Sequence, residues 1–277
     1  MSADLDFTPP PASYFNAGRV LAMALRYFYL MRGSWPRLLE MAYWPTMQMI
    51  QWGFVTKFFL DQSSWVASAA GVLLAGVLLW DILFRGQMGF SLCFLEEMWS
   101  RNLGHLFVSP LRPHEFVMTL MMMSLVRTLI GALPPALLAI VFYDFSIFSI
   151  GPALFAFMAC LFFMAWGIAM AVIGIILRFG LGAESLAWVL VFAFAPISAV
   201  YYPVSVMPEW LQMVAWAPPS AYVFEGMRAV LFEGTFRLDL LAGAMMLNVV
   251  YFVIGAGVFW LAYRSARKEG RLLQIGE

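Results

Sequence analysis

Both histidines of the chain, His105 and His114, fall in one polar interruption, Glu96 to Glu115, between two long apolar runs. Imidazoles near carboxylates can move protons or hold a metal, but the spacing here suits neither task. No His-Glu-x-x-His pattern sets two imidazoles on one helix face, and no Gly-x-Ser-x-Gly elbow presents a nucleophile. ATP chemistry finds no support: the only lysines, Lys57 and Lys268, are not preceded by glycine, so no phosphate-cradling loop can form. Cys93 and Cys160 lie in apolar runs, where they read as small buried residues and not as a disulfide or metal pair. The residue types predict no catalytic site, no metal and no bound cofactor in this chain.

Charge inside the apolar runs is the other chemistry on offer. Asp81 and Arg85 stand four apart and can pair along one helical face, whereas Arg127 has no partner nearby in sequence. An arginine at mid-bilayer costs about 3 kcal/mol even on lenient insertion scales, so these side chains must point into a bundle or reach for its surface. Structural pairing and a substrate contact both fit.

The surroundings of these groups define the class. The chain is 63% hydrophobic and 12% charged, with mean hydropathy +0.84. Soluble chains are roughly half apolar and a quarter charged, so an all-α polytopic membrane protein is predicted. Residues 1–13, with Pro9-Pro10-Pro11, form a mobile tail. Residues 14–37 form an interfacial amphipathic helix, with Arg19 and Arg26 sharing a face toward anionic headgroups. Residues 38–263 hold six transmembrane helices, Met41–Phe59, Val66–Phe90, Phe116–Tyr143, Ile150–Leu177, Ser185–Tyr202 and Leu240–Ala262, and 264–277 form a second tail. Pro45, Pro134, Pro135 and Pro196 predict kinks or broken helices within them. With the amino terminus inside, Arg19, Arg26, Arg32, Arg37, Arg101, Arg112, Arg178, Arg264, Arg267, Lys268 and Arg271 are cytoplasmic, against Lys57, Arg228 and Arg237 outside. This asymmetry places both termini and the Glu96–Glu115 segment in the cytoplasm.

Two stretches stand apart from the spans. The segment from Glu96 reads as a short helix with two acids in its opening turn, stopped by Ser109-Pro110-Leu111-Arg112-Pro113. Glu96, Glu97 and Arg101 would present charge to a partner, with Trp99, Leu103 and Leu106 as apolar anchors; an ordinary cytoplasmic loop is the alternative. Residues 203–232 divide into two helices opened by Pro208-Glu209 and Pro219-Ser220, each too short to cross a bilayer. Trp210, Trp216 and Tyr222 mark them as interfacial, and Glu225 and Arg228 can pair three apart. They read as a re-entrant helical hairpin between spans five and six, or as a periplasmic loop lying on the membrane.

The interfacial helix, six spans, acids followed by Leu106-Phe107-Val108-Ser109-Pro110-Leu111-Arg112, and outer Pro203-Val204-Ser205-Val206-Met207-Pro208-Glu209-Trp210-Leu211-Gln212 preceding Pro218-Pro219-Ser220-Ala221-Tyr222 together resemble the type-2 ABC exporter permeases over nearly the whole chain. The resemblance implies that Glu96 to Val108 is a coupling helix docking on a nucleotide-binding ABC ATPase subunit, through Glu96, Glu97, Trp99, Arg101, Leu103, His105 and Leu106. It implies a gate or interface helix at Tyr14–Arg32 and a re-entrant hairpin at Pro203–Phe232, in which the short apolar halves and their Trp anchors predict an exit gate at Pro208, Trp210, Trp216, Pro218, Pro219, Tyr222, Glu225 and Arg228. It further implies ATP and Mg in the partner subunit, a second permease copy in a homodimer, lipid contacts without nucleic acid, and the bacterial cytoplasmic (inner) membrane. Gly104-His105-Leu106 departs from the family, standing where a charged pair is often found. The aromatic hairpin and Met-rich spans suit an amphipathic or lipid-linked cargo, and contact with lipid alone would call for the same residues; the resemblance implies a lipid-linked glycan, a lipid or a hydrophobic drug as candidates. A channel or secondary transporter without an ATPase partner is the rival; it should carry several facing carboxylates at mid-membrane, where only Asp81 qualifies.

Overall fold

The computed structural model describes residues 15–60 and 64–270, so the 1–13 tail and the end of the 264–277 tail lie outside the described residues. These fold into helices, with no strand among them: α1 (Ala17–Arg32), α2 (Trp35–Leu60), α3 (Ser64–Trp99), α4 (Leu103–Val108), α5 (Pro113–Tyr143), α6 (Ala153–Phe179), α7 (Leu186–Phe194), α8 (Glu209–Ala215), α9 (Pro219–Arg228) and α10 (Leu238–Lys268). Among the described residues, four segments are long and apolar enough to cross a membrane: Gly71–Trp99, Pro113–Tyr143, Ala153–Phe179 and Leu238–Lys268.

The two remaining predicted spans differ for separate reasons. With 26 residues α2 is about 39 Å long, more than the bilayer core requires, but Gln48, Gln51, Lys57 and Pro45 dilute its apolar character. The fifth keeps only nine helical residues, about 14 Å. Pro196 brings no amide hydrogen, and Ala199 turns into the left-handed region at φ 54°, so the chain leaves the helical course before Tyr202. By contrast, α2 and α5 remain helical through Pro45, Pro134 and Pro135.

The core is layered. Helices α3 and α6 are central, 78% of the apolar window of each being buried, while α5 and α10 flank them with windows 28% and 22% buried. Exposed faces such as Leu129, Leu133 and Leu137 on α5, and Val249, Val253 and Leu261 on α10, form the apolar outer surface. Glycine sets the α6–α10 packing: a Cβ on Gly255 would lie 2.1 Å from the Gly167 carbonyl oxygen, and one on Gly174 3.0 Å from the Phe259 backbone. Close backbone approach of this kind replaces the hydrophobic drive that lipid abolishes.

Helix α1 is shorter than the predicted 14–37 element. Asn16 caps it through its side chain, Gly33 ends it, and Trp35–Arg37 already belong to α2. Its buried stripe Val20, Met23, Ala24, Tyr27 and Met31 packs on α5, while Leu21, Leu25 and Tyr29 remain exposed.

Candidate functional site

The end of the bundle where α3 stops and α5 begins is held by carboxylates. Glu115, fully buried, is the third residue of α5; its Oε2 accepts the Arg112 amide at 2.9 Å, completing the cap that Pro113 begins. Its Oε1 accepts from the Asn16 amide at 2.8 Å and from Arg19 Nη2 at 2.6 Å, tying the start of α1 to the start of α5. Seven residues, about two turns, later on α1, Arg26 grips both oxygens of Glu97, whose Oε2 also accepts from Asn102 Nδ2 at 2.6 Å. Burial opposes the charge on Arg26, but the Glu97 carboxylate outweighs it and raises the pKa. Tyr27 donates to the Cys93 carbonyl at 3.3 Å. Glu96 accepts from Arg127 Nη2 at 2.9 and 3.1 Å, and Arg37 of α2 stands 3.8 Å away.

Four helices thus meet on three carboxylates. Arg19 and Arg26 turn inward to protein carboxylates, contrary to the expected contact with lipid headgroups, because an unpaired carboxylate as buried as Glu97 or Glu115 would be far costlier. Glu96 and Glu97 do not open a separate helix. They occupy the last turn of α3, where the helix dipole disfavours acids and the three arginines offset it. Glu97 is 1% exposed and does not present its charge outward.

What faces outward lies just beyond. The helix α3 ends with Arg101 in the left-handed conformation at φ 59°, its amide bonding the Met98 carbonyl and the Asn102 amide the Glu97 carbonyl. This is the Schellman closure, with arginine where glycine is the usual choice. Leu103 and Leu106, expected as docking anchors, pack inward on the core. Trp99, Arg101, His105 and Val108 are exposed, with the Trp99 indole donating to Glu184 at 3.0 Å.

The intramembrane charges find ion partners within the bundle, although the buried Nε of Arg127 donates to no acceptor. Arg85 Nε donates to Asp81 at 2.6 Å, as the spacing predicts, and its Nη1 donates to the Met41 carbonyl at 2.7 Å. That carbonyl is the one Pro45, four residues on, cannot bond. Gly131 makes room for this contact: a Cβ there would sit 2.9 Å from both Arg85 Nη1 and the Met41 oxygen. Arg127 finds its partner on another helix, in Glu96.

At the opposite end the hairpin helices begin where the prolines place them, α8 after Pro208 and α9 at Pro219. They are not equivalent. Trp210 and Met213 of α8 are 66% and 76% exposed, whereas α9 is buried against α6 and α10. Trp216 meets Tyr222 edge-on at 4.7 Å, and Pro218 is buried. Glu225 and Arg228 stand 3.7 Å apart, but their firmer bonds are elsewhere. Glu225 accepts the Val204 amide at 2.7 Å; Arg228 donates to the Tyr202 carbonyl at 2.5 Å and to that of Ala199. This pair fixes the irregular backbone after α7 onto α9. The Arg112-Pro113-His114-Glu115 cap was a legible signal for Glu115, missing from the sequence-derived site, whereas nothing in sequence marked its bond to Arg19.

Among the described residues no cluster of His, Cys, Asp and Glu could hold a metal ion. A membrane-spanning helical bundle with charge gathered at one end and a helical hairpin at the other has the architecture of a transport subunit. Residues 20–232 match the family model for the ABC-2 type transporter, and the chain belongs to that family as a transmembrane permease component, distinct from the ATPase. Comparison with curated proteins returns no significant match.

Proposed function

We propose that this permease is the transmembrane half of an ATP-driven exporter for an amphipathic or lipid-linked substrate, working as a homodimer with a separate nucleotide-binding subunit. In this account α2 and the α7 region complete six crossings, the carboxylate-held end and both termini face the cytoplasm, and residues 203–232 dip into the outer leaflet as the exit gate. The host membrane is the bacterial cytoplasmic membrane, and ATP and Mg are held by the partner.

The observation that carries this is the junction at Glu96, Glu97 and Glu115. A push on Arg101, His105 or Val108 reaches α3 through the three-residue link Ser100-Arg101-Asn102, one on Trp99 acts on α3 directly, and through Arg26, Arg37, Arg127 and Arg19 it reaches α1, α2 and α5 at once. The buried carboxylates of Glu97 and Glu115 and the partly buried one of Glu96 thereby tie the four helices together at this junction. The strained Arg101 supports the same view, since the left-handed conformation costs a non-glycine residue about 1 kcal/mol and glycine would relieve it.

Arg101→Gly therefore separates the two roles. The variant should fold as well as the parent or better, yet couple ATP hydrolysis to export less efficiently. A photo-crosslinking amino acid at His105 or Val108 should capture the nucleotide-binding subunit, while one at Val253 should not. An intact complex with no adduct from either position would put docking elsewhere.

A further inference from the structure

On the outside of the bundle, α6, α7 and α10 enclose a crevice of about 200 Å³. Its floor exists because Gly167 and Gly255 have no side chains and their backbones touch. Leu190 and Phe194 of α7 form one wall, and Tyr251 and Ile254 of α10 the other. Helix α7 packs on α3 and α6 and reaches α10 through the edge-to-face contact of Phe194 with Tyr251, centroids 6.1 Å apart.

The crevice is continuous with the face of α10 that membrane placement assigns to lipid, where Val250, Val253 and Ile254 are 50%, 63% and 57% exposed. Its size and chemistry choose among occupants. A helix of a second copy, about 10 Å across with its side chains, is larger than a notch of about 200 Å³, so a second copy could offer it no more than a side chain. Water needs two to four polar partners, and the lining is apolar but for the Tyr251 hydroxyl. An unbranched hydrocarbon chain needs neither width nor partners.

We propose that this crevice binds one acyl chain of a bilayer phospholipid, which completes the packing between α7 and α10. The site requires the membrane placement and is independent of the ATPase partner and the exported substrate. Because α7 leads directly into the backbone held by Arg228, the chain lipid becomes part of the wall that any movement of the hairpin must displace.

The full chain, reconstituted into phosphatidylethanolamine and phosphatidylglycerol vesicles doped with an acyl-chain diazirine phospholipid, is irradiated and its adducts are mapped. Adducts at Leu190 and Ile254 should exceed those at Val253 several-fold. Ala171→Phe, which fills the crevice, should reduce them to the Val253 level without changing adducts at Val253 itself. Should that variant fail to insert, Ala171→Leu should give a partial loss. Equal labelling of Ile254 and Val253 in the parent, or adducts at Leu190 and Ile254 that persist in the filled variants, would overturn the site. An intermolecular disulfide through Ile254→Cys, in a background with Cys93 and Cys160 replaced by serine, would assign the crevice to a second copy and overturn it equally.

Discussion

At the scale of single residues, the charges deep in this protein are structural before they are anything else. Arg85 repairs a defect made by Pro45: it donates to the one carbonyl of α2 that the proline leaves without its helical partner, while neutralising Asp81. Replacing Arg85 by methionine leaves both groups unsatisfied, whereas Pro45→Ala restores the missing donor. The two changes should therefore be coupled by about 1 kcal/mol, the loss from Arg85→Met being smaller in the Pro45→Ala background. The Asp81 penalty appears in both backgrounds and cancels, so additive unfolding energies in detergent would disprove the repair. At the other charged end, Arg26→Met should destabilise by about 2 kcal/mol, below the usual cost of breaking a buried pair because the Arg26 side chain is 39% exposed. A melting profile unchanged by that substitution would contradict the role of α1 as a clamped element.

Helices show where sequence reasoning reached and where it stopped. Asp81 with Arg85 was legible because a four-residue spacing is a statement about one helix, and the openings of α8 and α9 were legible because Pro208 and Pro219 act locally. The pairs Glu96 with Arg127 and Glu115 with Arg19 join different helices, and no local rule marks them. The acids of Glu96-Glu97 suggested a helix start because acids favour that position in isolation; three arginines from elsewhere make the end of α3 acceptable instead. Span five was drawn to full length from hydropathy, which does not register the break following Pro196. Two outcomes follow for the elements. Gly255→Ala must push α6 and α10 apart and should cost about 1–3 kcal/mol, typical of overpacking. With Cys93 and Cys160 removed, Met213→Cys should react with a thiol reagent that Val223→Cys, at a position 1% exposed, resists. Equal reaction at both would show that α9 is not packed in the bundle.

For the whole molecule, the layout divides labour along its length. Arginine–carboxylate pairs gather four helices at one end, glycine contacts fix α6 to α10 in the middle, and Glu225 with Arg228 anchors irregular backbone at the other. In the proposed function, a permease so built receives force at one end and passes it on, the force coming from a separate ATPase. The most direct test is ATP hydrolysis by the purified chain in lipid vesicles, measured alone and after assembly with a nucleotide-binding subunit. The account predicts no vanadate-sensitive hydrolysis by the chain alone and robust hydrolysis by the assembly, reduced or uncoupled by Arg101→Gly. Robust vanadate-sensitive hydrolysis by the isolated chain would contradict it.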